Sequence, residues 1–206
     1  TCASLGLAAP SVRVEVHLSA GLPGLAIVGM PEAVVRESKD RVRSALLNSG
    51  FEFPAQRITI NLAPADLPKE GGRYDLPIAL GLLAASGQLP LQALENHIVM
   101  GELALSGELT AVSSVLSASL AAAGSGKTLV VPQANAREAR LSQTTPVLAA
   151  PDLYRLVRHL RGQEPLLEEQ LAVHDETERC APYPDLSQVC GQPLARRALE
   201  VAAAGA

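Results

Sequence analysis

Aromatic side chains are nearly absent from this sequence of 206 residues. It contains two Phe, three Tyr and no Trp, so a platform of aromatic rings on which nucleobases stack is poorly supported. Because 48% of the residues are hydrophobic, the core must consist mainly of aliphatic side chains. The length is sufficient for one large domain, or for one domain with an appendage.

An excess of positive charge is also missing. The 17 Lys and Arg residues are outnumbered by 21 Asp and Glu residues, which gives a net charge of -4. This balance argues against a dedicated, uniformly basic nucleic-acid binder. A local basic face remains compatible with it.

Cysteine is scarce, and long apolar runs are lacking. Cys2, Cys180 and Cys190 show neither C-x-x-C spacing nor nearby His pairs, so we predict thiols of a cytosolic protein and no metal site. No apolar run is long enough to cross a membrane, and the N-terminus lacks the order of a signal peptide. These absences predict a cytoplasmic protein without a membrane partner.

The stretch GSGKT at residues 124–128 resembles the end of a nucleotide-binding phosphate loop. That loop needs an earlier glycine where Ala121 stands, and it must lead from a strand into a helix. Here residues 112–123 have a helical composition and residues 128–131 are β-branched, so the order is reversed. We therefore predict a helix-to-strand turn with Gly124 as the helix C-cap, and no cofactor bound by this stretch.

Hydrophobic periodicity predicts strands and helices that mix without strict alternation. Strands are expected at residues 12–18 and 25–28, paired as a hairpin, and at 57–62; a second hairpin is expected from 97–103 and 108–112, and a further strand at 128. Helices are expected at 31–50, at 76–86 with Asp75 as the N-cap, around Leu116, in a short segment after Pro132, and at 152–160. The pattern predicts an α/β (α+β) sandwich with helices packed on a sheet.

The densest set of cations lies in the first helix and in the loop that precedes the second. Its members are Arg36, Lys39, Arg41, Arg43, Lys69 and Arg73. These side chains could contact phosphates of DNA or form a subunit interface. Alternatively, they are a solvated face neutralised by Glu32, Glu37 and Asp40 at i,i+4 spacing, with Arg73 paired to Asp66 or Asp75.

Composition changes in the C-terminal part of the chain. Residues 162–184 are rich in proline and charge and are expected to form a linker, and residues 185–206 begin a further amphipathic helix. We therefore expect domains at 1–161 and 185–206. The chain opens on Thr and ends within a helical segment, so we expect it to be a piece of a longer protein.

Several motifs resemble the N-terminal part of the ComM family, also labelled magnesium-chelatase-like ATPases. The most specific is QRITINLAPADLPKEGGRYDLPIAL at residues 56–80; the others are GLPGL near residue 22, VRESKDRVRSA near 35 and GELALSG near 101. The segment 185–205 resembles the lead-in to the family's AAA+ ATPase module, whose phosphate loop would follow Ala206.

The resemblance implies a hexameric ATPase, using ATP and Mg, that acts as a DNA helicase in branch migration during natural transformation. Its implied partners are copies of itself and single-stranded or branched DNA. The resemblance also implies that this part of the chain has a ribosomal protein S5 domain-2-like fold, similar to the Lon proteolytic domain. The expected role is therefore a non-catalytic domain for ring assembly, DNA guidance or both.

The similarity to Lon raises the possibility of a peptidase with a Ser-Lys dyad. Matching KEGGRYD at residues 69–75 to the family's nucleophile segment places Arg73 at the serine position, and Leu116 falls at the lysine position. Neither side chain can supply the required chemistry, so we expect no catalytic residue here. A chelatase-like complex in which the ATPase remodels a protein partner is the alternative function.

Overall fold

The structure, a computed structural model, describes residues 1–5, 8–166 and 185–205. The chain divides into two units, Thr1–Glu169 and Gln170–Ala206, and each is described by itself. In chain order the strands and helices are β1 (Arg13–Ser19), β2 (Gly24–Val28), α1 (Ala33–Asn48), β3 (Arg57–Ala63), α2 (Asp75–Ala85), β4 (His97–Val99), β5 (Glu102–Leu103), β6 (Leu109–Thr110), α3 (Val115–Ser125), β7 (Thr128–Pro132), α4 (Ala136–Arg140), β8 (Val147–Ala150), α5 (Leu153–Leu160) and α6 (Pro193–Ala204).

The first sheet has the order β1-β3-β2, with β1 antiparallel and β2 parallel to β3. The predicted hairpin between the first two strands is therefore wrong, because β3 lies between them. The reason lies in the packing of β3: Ile58, Ile60 and Leu62 are fully buried, and a central position gives this strand a neighbour on each side. Gly29, with φ 98°, permits the close approach, since a Cβ there would lie 2.2 Å from the carbonyl oxygen of Leu62.

The second sheet is parallel and has the order β4-β7-β8. The second predicted hairpin is confirmed only in its inner part, where β5 pairs antiparallel with β6. Its outer strand β4 pairs with β7 instead. Strand β8 was not predicted, because its sequence VLAA is too short to show a period.

The helices cover the sheets and close two apolar cores. Helix α1 buries Val35, Val42, Ala45 and Leu46, as its apolar stripe predicts. Helix α2 is buried along most of its length because it packs directly on β1: a Cβ at Gly81 would lie 2.8 Å from Cγ2 of Val16. The second core gathers residues of α3, α4, β7 and β8.

The turn at GSGKT joins helix α3 to strand β7, which confirms the predicted order. The C-cap is Gly126 with φ 66°, not Gly124, so the prediction of the capping residue is wrong by two positions. The helix continues to Ser125 because residues 120–125 still support helical hydrogen bonds, and only the left-handed residue ends them.

A mixed α/β fold is confirmed for the described residues, whereas its likeness to the Lon domain stays a prediction. The predicted linker at 162–184 lies largely outside those residues. In the second unit a short 3-10 helix, Leu186–Gln188, precedes α6. Among the helices described, none combines the length and apolar character that crossing a membrane requires.

Candidate functional site

The six cations predicted as contact residues fall into two groups of three. Arg36, Lys39 and Arg43 are exposed on α1. The other three turn inward: Lys69 is fully buried, Arg73 is 6% exposed, and the side chain of Arg41 is 22% exposed. The structure thus leaves the exposed group accessible to a partner, while the inward group binds other parts of the chain.

Asp75 is the centre of a buried polar cluster between α1, α2 and β5. Its carboxylate is fully buried and accepts hydrogen bonds from Arg41 Nε at 2.7 Å, from Arg41 Nη2 at 3.0 Å, from the hydroxyl of Ser38, and from the N–H of Leu103 at 3.3 Å. The hydrogen bond with Asp75 raises the pKa of Arg41 above its ordinary value, against the opposing effect of partial burial. This cluster fixes the first helix against the second.

The predicted role of Asp75 as a helix N-cap is wrong. Asp75 is the first residue of α2, and Tyr74 occupies the N-cap position without a side-chain hydrogen bond. The carboxylate is drawn away from the helix terminus because Arg41 offers two charge-assisted donors in a bidentate geometry. For the same reason, Asp75, one of the two carboxylates considered as partners of Arg73 beside Asp66, pairs with Arg41 instead.

Lys69 holds the long loop between β3 and α2 in place. Its ammonium group donates to the carbonyl oxygen of Pro64. The backbone carbonyl of Lys69 accepts from the N–H of Glu32 at 3.3 Å. Burial lowers the pKa of Lys69, and the negative charge of Asp66 partly opposes that shift. The loop is therefore tied to both its own start and the beginning of α1.

Arg73 reaches from the same loop to the segment before α3. Its Nη2 atom donates to the hydroxyl of Ser113 at 3.2 Å, while its carbonyl accepts from the N–H of Gly101 at 3.1 Å. Arg73 is the residue that the sequence comparison with Lon, itself still a prediction, assigns to the nucleophile position. It bridges two segments of chain and offers no nucleophilic atom.

The start of α3 is equally unsuited to base catalysis. Leu116 is half-buried, and its N–H, together with that of Val115, donates to Glu138 Oε1, at 3.1 and 2.9 Å respectively. Lys127 follows the far end of this helix of 11 residues, so a distance of roughly 16 Å along the helix axis separates it from Ser113. A serine–lysine dyad is not assembled from these residues.

Two residues that position this region were missed in the sequence. Besides Glu138, Asn135 holds Val112 through both backbone groups: Oδ1 accepts from its N–H and Nδ2 donates to its carbonyl, each at 2.9 Å. Their i,i+3 spacing resembles a local capping pattern. The sequence contains no signal that these side chains would instead bind the segment before α3 and its first turn, 23 residues earlier in the chain.

The exposed face of α1 is electrically mixed. Its three cations alternate along the sequence with Glu32, Glu37 and Asp40, which are also exposed. The surface therefore carries three positive and three negative charges. Arg43 additionally lies over the ring of Phe53, with 4.9 Å between its guanidinium carbon and the ring centroid. Within the described ranges, no cluster of three or more His, Cys, Asp or Glu residues could hold a metal ion.

Comparison with known proteins gives a family for this chain. The family model described as subunit ChlI of Mg-chelatase matches residues 14–135. The competence protein ComM of Haemophilus influenzae is 49% identical over 208 residues, a match that covers 98% of this chain and 40% of ComM. The uncharacterized protein YifB of Escherichia coli is 49% identical over 205 residues, covering 100% of this chain and 40% of YifB.

An uncharacterized protein of Mycobacterium tuberculosis is 42% identical over 202 residues, which covers 98% of this chain and 40% of that protein. The chain therefore spans about 40% of the length of these relatives. The matched family residues run from β1 to the segment before α4 and include the loop with Lys69 and Arg73. The chain belongs to the family of the Mg-chelatase subunit ChlI and is a homologue of the competence protein ComM.

Proposed function

We propose that this chain is the non-catalytic N-terminal domain of a hexameric, cytoplasmic AAA+ ATPase of the ComM type. In this proposal the whole protein is a DNA helicase that uses ATP and Mg to promote branch migration during natural transformation. The observation that carries the non-catalytic role is the engagement of Arg73 with Ser113 and of Leu116 with Glu138. At the two positions that the predicted similarity to Lon assigns to the dyad, the guanidinium of Arg73 and the aliphatic side chain of Leu116 offer neither a nucleophile nor a proton acceptor.

The mixed charge of α1 favours ring assembly as the first role of this domain. Three exposed cations and three exposed acids suit a neighbouring subunit with complementary charges, whereas a phosphate backbone would be repelled by half of them. Guidance of single-stranded or branched DNA through the same Arg36, Lys39 and Arg43 is the second role. The two roles differ in their dependence on salt and on DNA.

ATP hydrolysis by the full-length protein tests the proposal. We expect stimulation by forked DNA, and a loss of that stimulation in a version lacking residues 1–180. The triple variant Arg36→Glu, Lys39→Glu, Arg43→Glu should reproduce the loss, whereas the matched variant Arg57→Glu, Arg137→Glu, Arg155→Glu, also at exposed positions, should retain the stimulation. Equal stimulation in the full-length and truncated proteins would contradict a role for this domain.

A chelatase-like function is the second candidate, favoured by the match to the model of the Mg-chelatase subunit. In that case the ATPase would remodel a protein partner rather than DNA. Hydrolysis that does not respond to forked DNA in either version, but responds to a protein partner, would support this candidate.

Peptidase activity is the third and disfavoured candidate. We expect the purified chain to leave casein intact, because neither dyad position can activate a nucleophile. Cleavage of casein that disappears in the double variant Ser113→Ala, Ser114→Ala would contradict the non-catalytic role.

A further inference from the structure

Strand β2 is an edge of the first sheet, and in the described part of the chain it pairs only with β3. The N–H of Gly24 donates to the residue before β3 at 3.4 Å, so Gly24, Ala26 and Val28 direct their backbone groups toward β3. The alternate residues Leu25 and Ile27 direct theirs away from the sheet. The free edge of β2 therefore offers two N–H donors and two C=O acceptors.

The residues of β2 include neither a charged side chain nor a proline. Their sequence is GLAIV, whereas folded proteins ordinarily place a lysine, a proline or a covering segment on an exposed edge strand. Strand β1, on the other side of the sheet, carries the exposed polar residues Arg13, Glu15 and His17. An uncharged edge of this kind is suited to pairing with a further strand.

Large apolar side chains are exposed around the same edge. Leu22 is 90% exposed, Met30 is 64% exposed and Val28 is 46% exposed. Met30 also has a positive φ of 54°, a backbone conformation that is unfavourable for a residue with a Cβ atom. A strained backbone that holds a large apolar side chain in water favours a contact surface at this place.

These exposed residues are arranged symmetrically about Ala26. Leu22 and Met30 lie four residues before and after it, and Gly24 and Val28 lie two residues before and after it. If β2 pairs antiparallel with the β2 of a second copy, with Ala26 opposite Ala26, Val28 of one copy lies opposite the small Gly24 of the other. The same register directs Leu22 of one copy toward Met30 of the other.

The backbone fits the same register. With Ala26 opposite Ala26, Leu25 of one copy lies opposite Ile27 of the other, and these are the residues whose backbone groups are free. Directly opposite residues of this kind exchange both of their hydrogen bonds, so all the free donors and acceptors of the two edges are paired. The two Ala26 residues form the close pair at the symmetry axis, where a small side chain is required.

The charges beside β2 are also complementary under this symmetry. Lys39, Asp40 and Arg43 of α1 line a cleft of about 440 Å³ at the start of β2, so cations outnumber the acid there. Glu32 is exposed beyond the other end of β2. An antiparallel arrangement brings the start of one β2 to the end of the other, and it thereby directs the cationic cleft of each copy toward Glu32 of its partner.

We propose that β2 is a two-fold interface at which a second copy of this chain adds its own β2, antiparallel and centred on Ala26. The two three-stranded sheets become one continuous sheet, with both α1 helices on the same face. A two-fold contact is closed by itself and joins copies in pairs, so this inference goes beyond the ring proposed above. It requires neither ATP nor DNA.

Cysteine crosslinking tests the register in a background that carries Cys180→Ser and Cys190→Ser. Ala26→Cys places two thiols opposite each other with Cα atoms about 4.5 Å apart, which is within the range of a disulfide, so we expect a covalent dimer on mild oxidation. Val28→Cys, the matched control, lies roughly 14 Å from its own copy and should not crosslink with itself. A mixture of Val28→Cys and Gly24→Cys chains should crosslink.

Charge at the symmetry axis tests the contact in solution. Ala26→Lys and Ala26→Glu each place like charges opposite each other, and each should weaken dimerisation of the 206-residue chain by about tenfold or more. Analytical ultracentrifugation over a concentration series, without ATP or DNA, measures this effect. An equimolar mixture of the two variants should restore the dimer, which two misfolded variants would not do. His17→Lys, at an exposed position of β1, should dimerise like the unaltered chain.

A folded chain that stays monomeric over the whole concentration series would overturn the proposal. Crosslinking of Val28→Cys with itself as fast as that of Ala26→Cys would also overturn it, because the copies would then meet without a fixed register. Circular dichroism shows whether each variant is folded. Since these measurements use neither ATP nor DNA, either result would leave the ring proposed above untouched.

Discussion

Asp75 is the single residue on which the arrangement of the candidate site most depends. Replacing its carboxylate with an amide removes the negative charge opposite the partly buried Arg41, and one of the two acceptor oxygens shared by Arg41, Ser38 and the N–H of Leu103 becomes a donor. We expect Asp75→Asn to lower the free energy of unfolding by about 3 kcal/mol, because breaking a buried ion pair leaves the charge of the remaining partner uncompensated and away from water.

Urea denaturation at neutral pH measures this effect. Asp40→Asn, which removes a carboxylate from the exposed face of α1, is the matched control and should change the free energy of unfolding little. Equal stability of the two variants would show that the hydrogen bonds and the ion pair of Asp75 do not stabilise the fold.

Tyr74 gives a prediction of the opposite sign. Its ring is fully buried, yet its hydroxyl has no partner among the described residues. Since an unsatisfied buried hydroxyl is unfavourable, Tyr74→Phe should be neutral or should stabilise the protein by about 1 kcal/mol. Chemical denaturation of both proteins at pH 7 measures the difference.

The same hydroxyl predicts a dependence on alkaline pH. Burial raises the pKa of Tyr74 to about 12 from an ordinary value of 10.0, so the folded state retains a proton that the unfolded state loses. The part of the free energy of unfolding that depends on the protonation of Tyr74 is fully present below pH 10. It is lost between pH 10 and about 12, at about 1.4 kcal/mol per pH unit. Tyr74→Phe should show a shallower loss in this window; parallel curves for the two proteins would contradict the assignment.

At the scale of elements, Glu138 of α4 determines how α3 begins. Glu138→Ala removes the acceptor for two N–H groups of the first turn and should lower the free energy of unfolding by about 1–2 kcal/mol. Glu138→Gln retains an acceptor and should cost less. Thermal and urea denaturation measure the stability of both variants and of the control Glu108→Ala, which removes an exposed carboxylate. A larger loss for Gln than for Ala would rule out capping.

Elements could be predicted from sequence where a local pattern decides them. The apolar stripe of α1 predicted a helix and the alternation of β3 predicted a strand, because each element buries one face. The pairing of strands could not be predicted in the same way: the first two strands are separated by only four residues, which favours a hairpin, yet β3 inserts after the crossover through α1. Long-range pairing depends on the packing of all three strands together.

The candidate site shows the same division between local and distant information. The sequence identified the cationic residues, but it could not tell Arg36, Lys39 and Arg43, which remain exposed, from Arg41, Lys69 and Arg73, which do not. That difference depends on partners such as Asp75, Pro64 and Ser113. Asp75 and Ser113 lie on distant segments, and Pro64 lies five residues before Lys69 in an irregular loop, so no regular spacing predicts these partners.

The role proposed for the whole domain is to assemble a ring without catalysing a reaction itself. The mixed charges of α1 would then contact a neighbouring subunit, and that contact would be weakened but not abolished by salt. The DNA role predicts a different response, a linear loss of affinity with the logarithm of the salt concentration.

Light scattering or mass photometry of the full-length protein with ATP measures its mass distribution and thereby tests ring assembly by this domain. If the domain assembles the ring, the hexamer is depleted in the version lacking residues 1–180 and in the triple Glu variant of Arg36, Lys39 and Arg43. It is retained in the matched variant of Arg57, Arg137 and Arg155. A hexamer of unchanged abundance in all four proteins would contradict it.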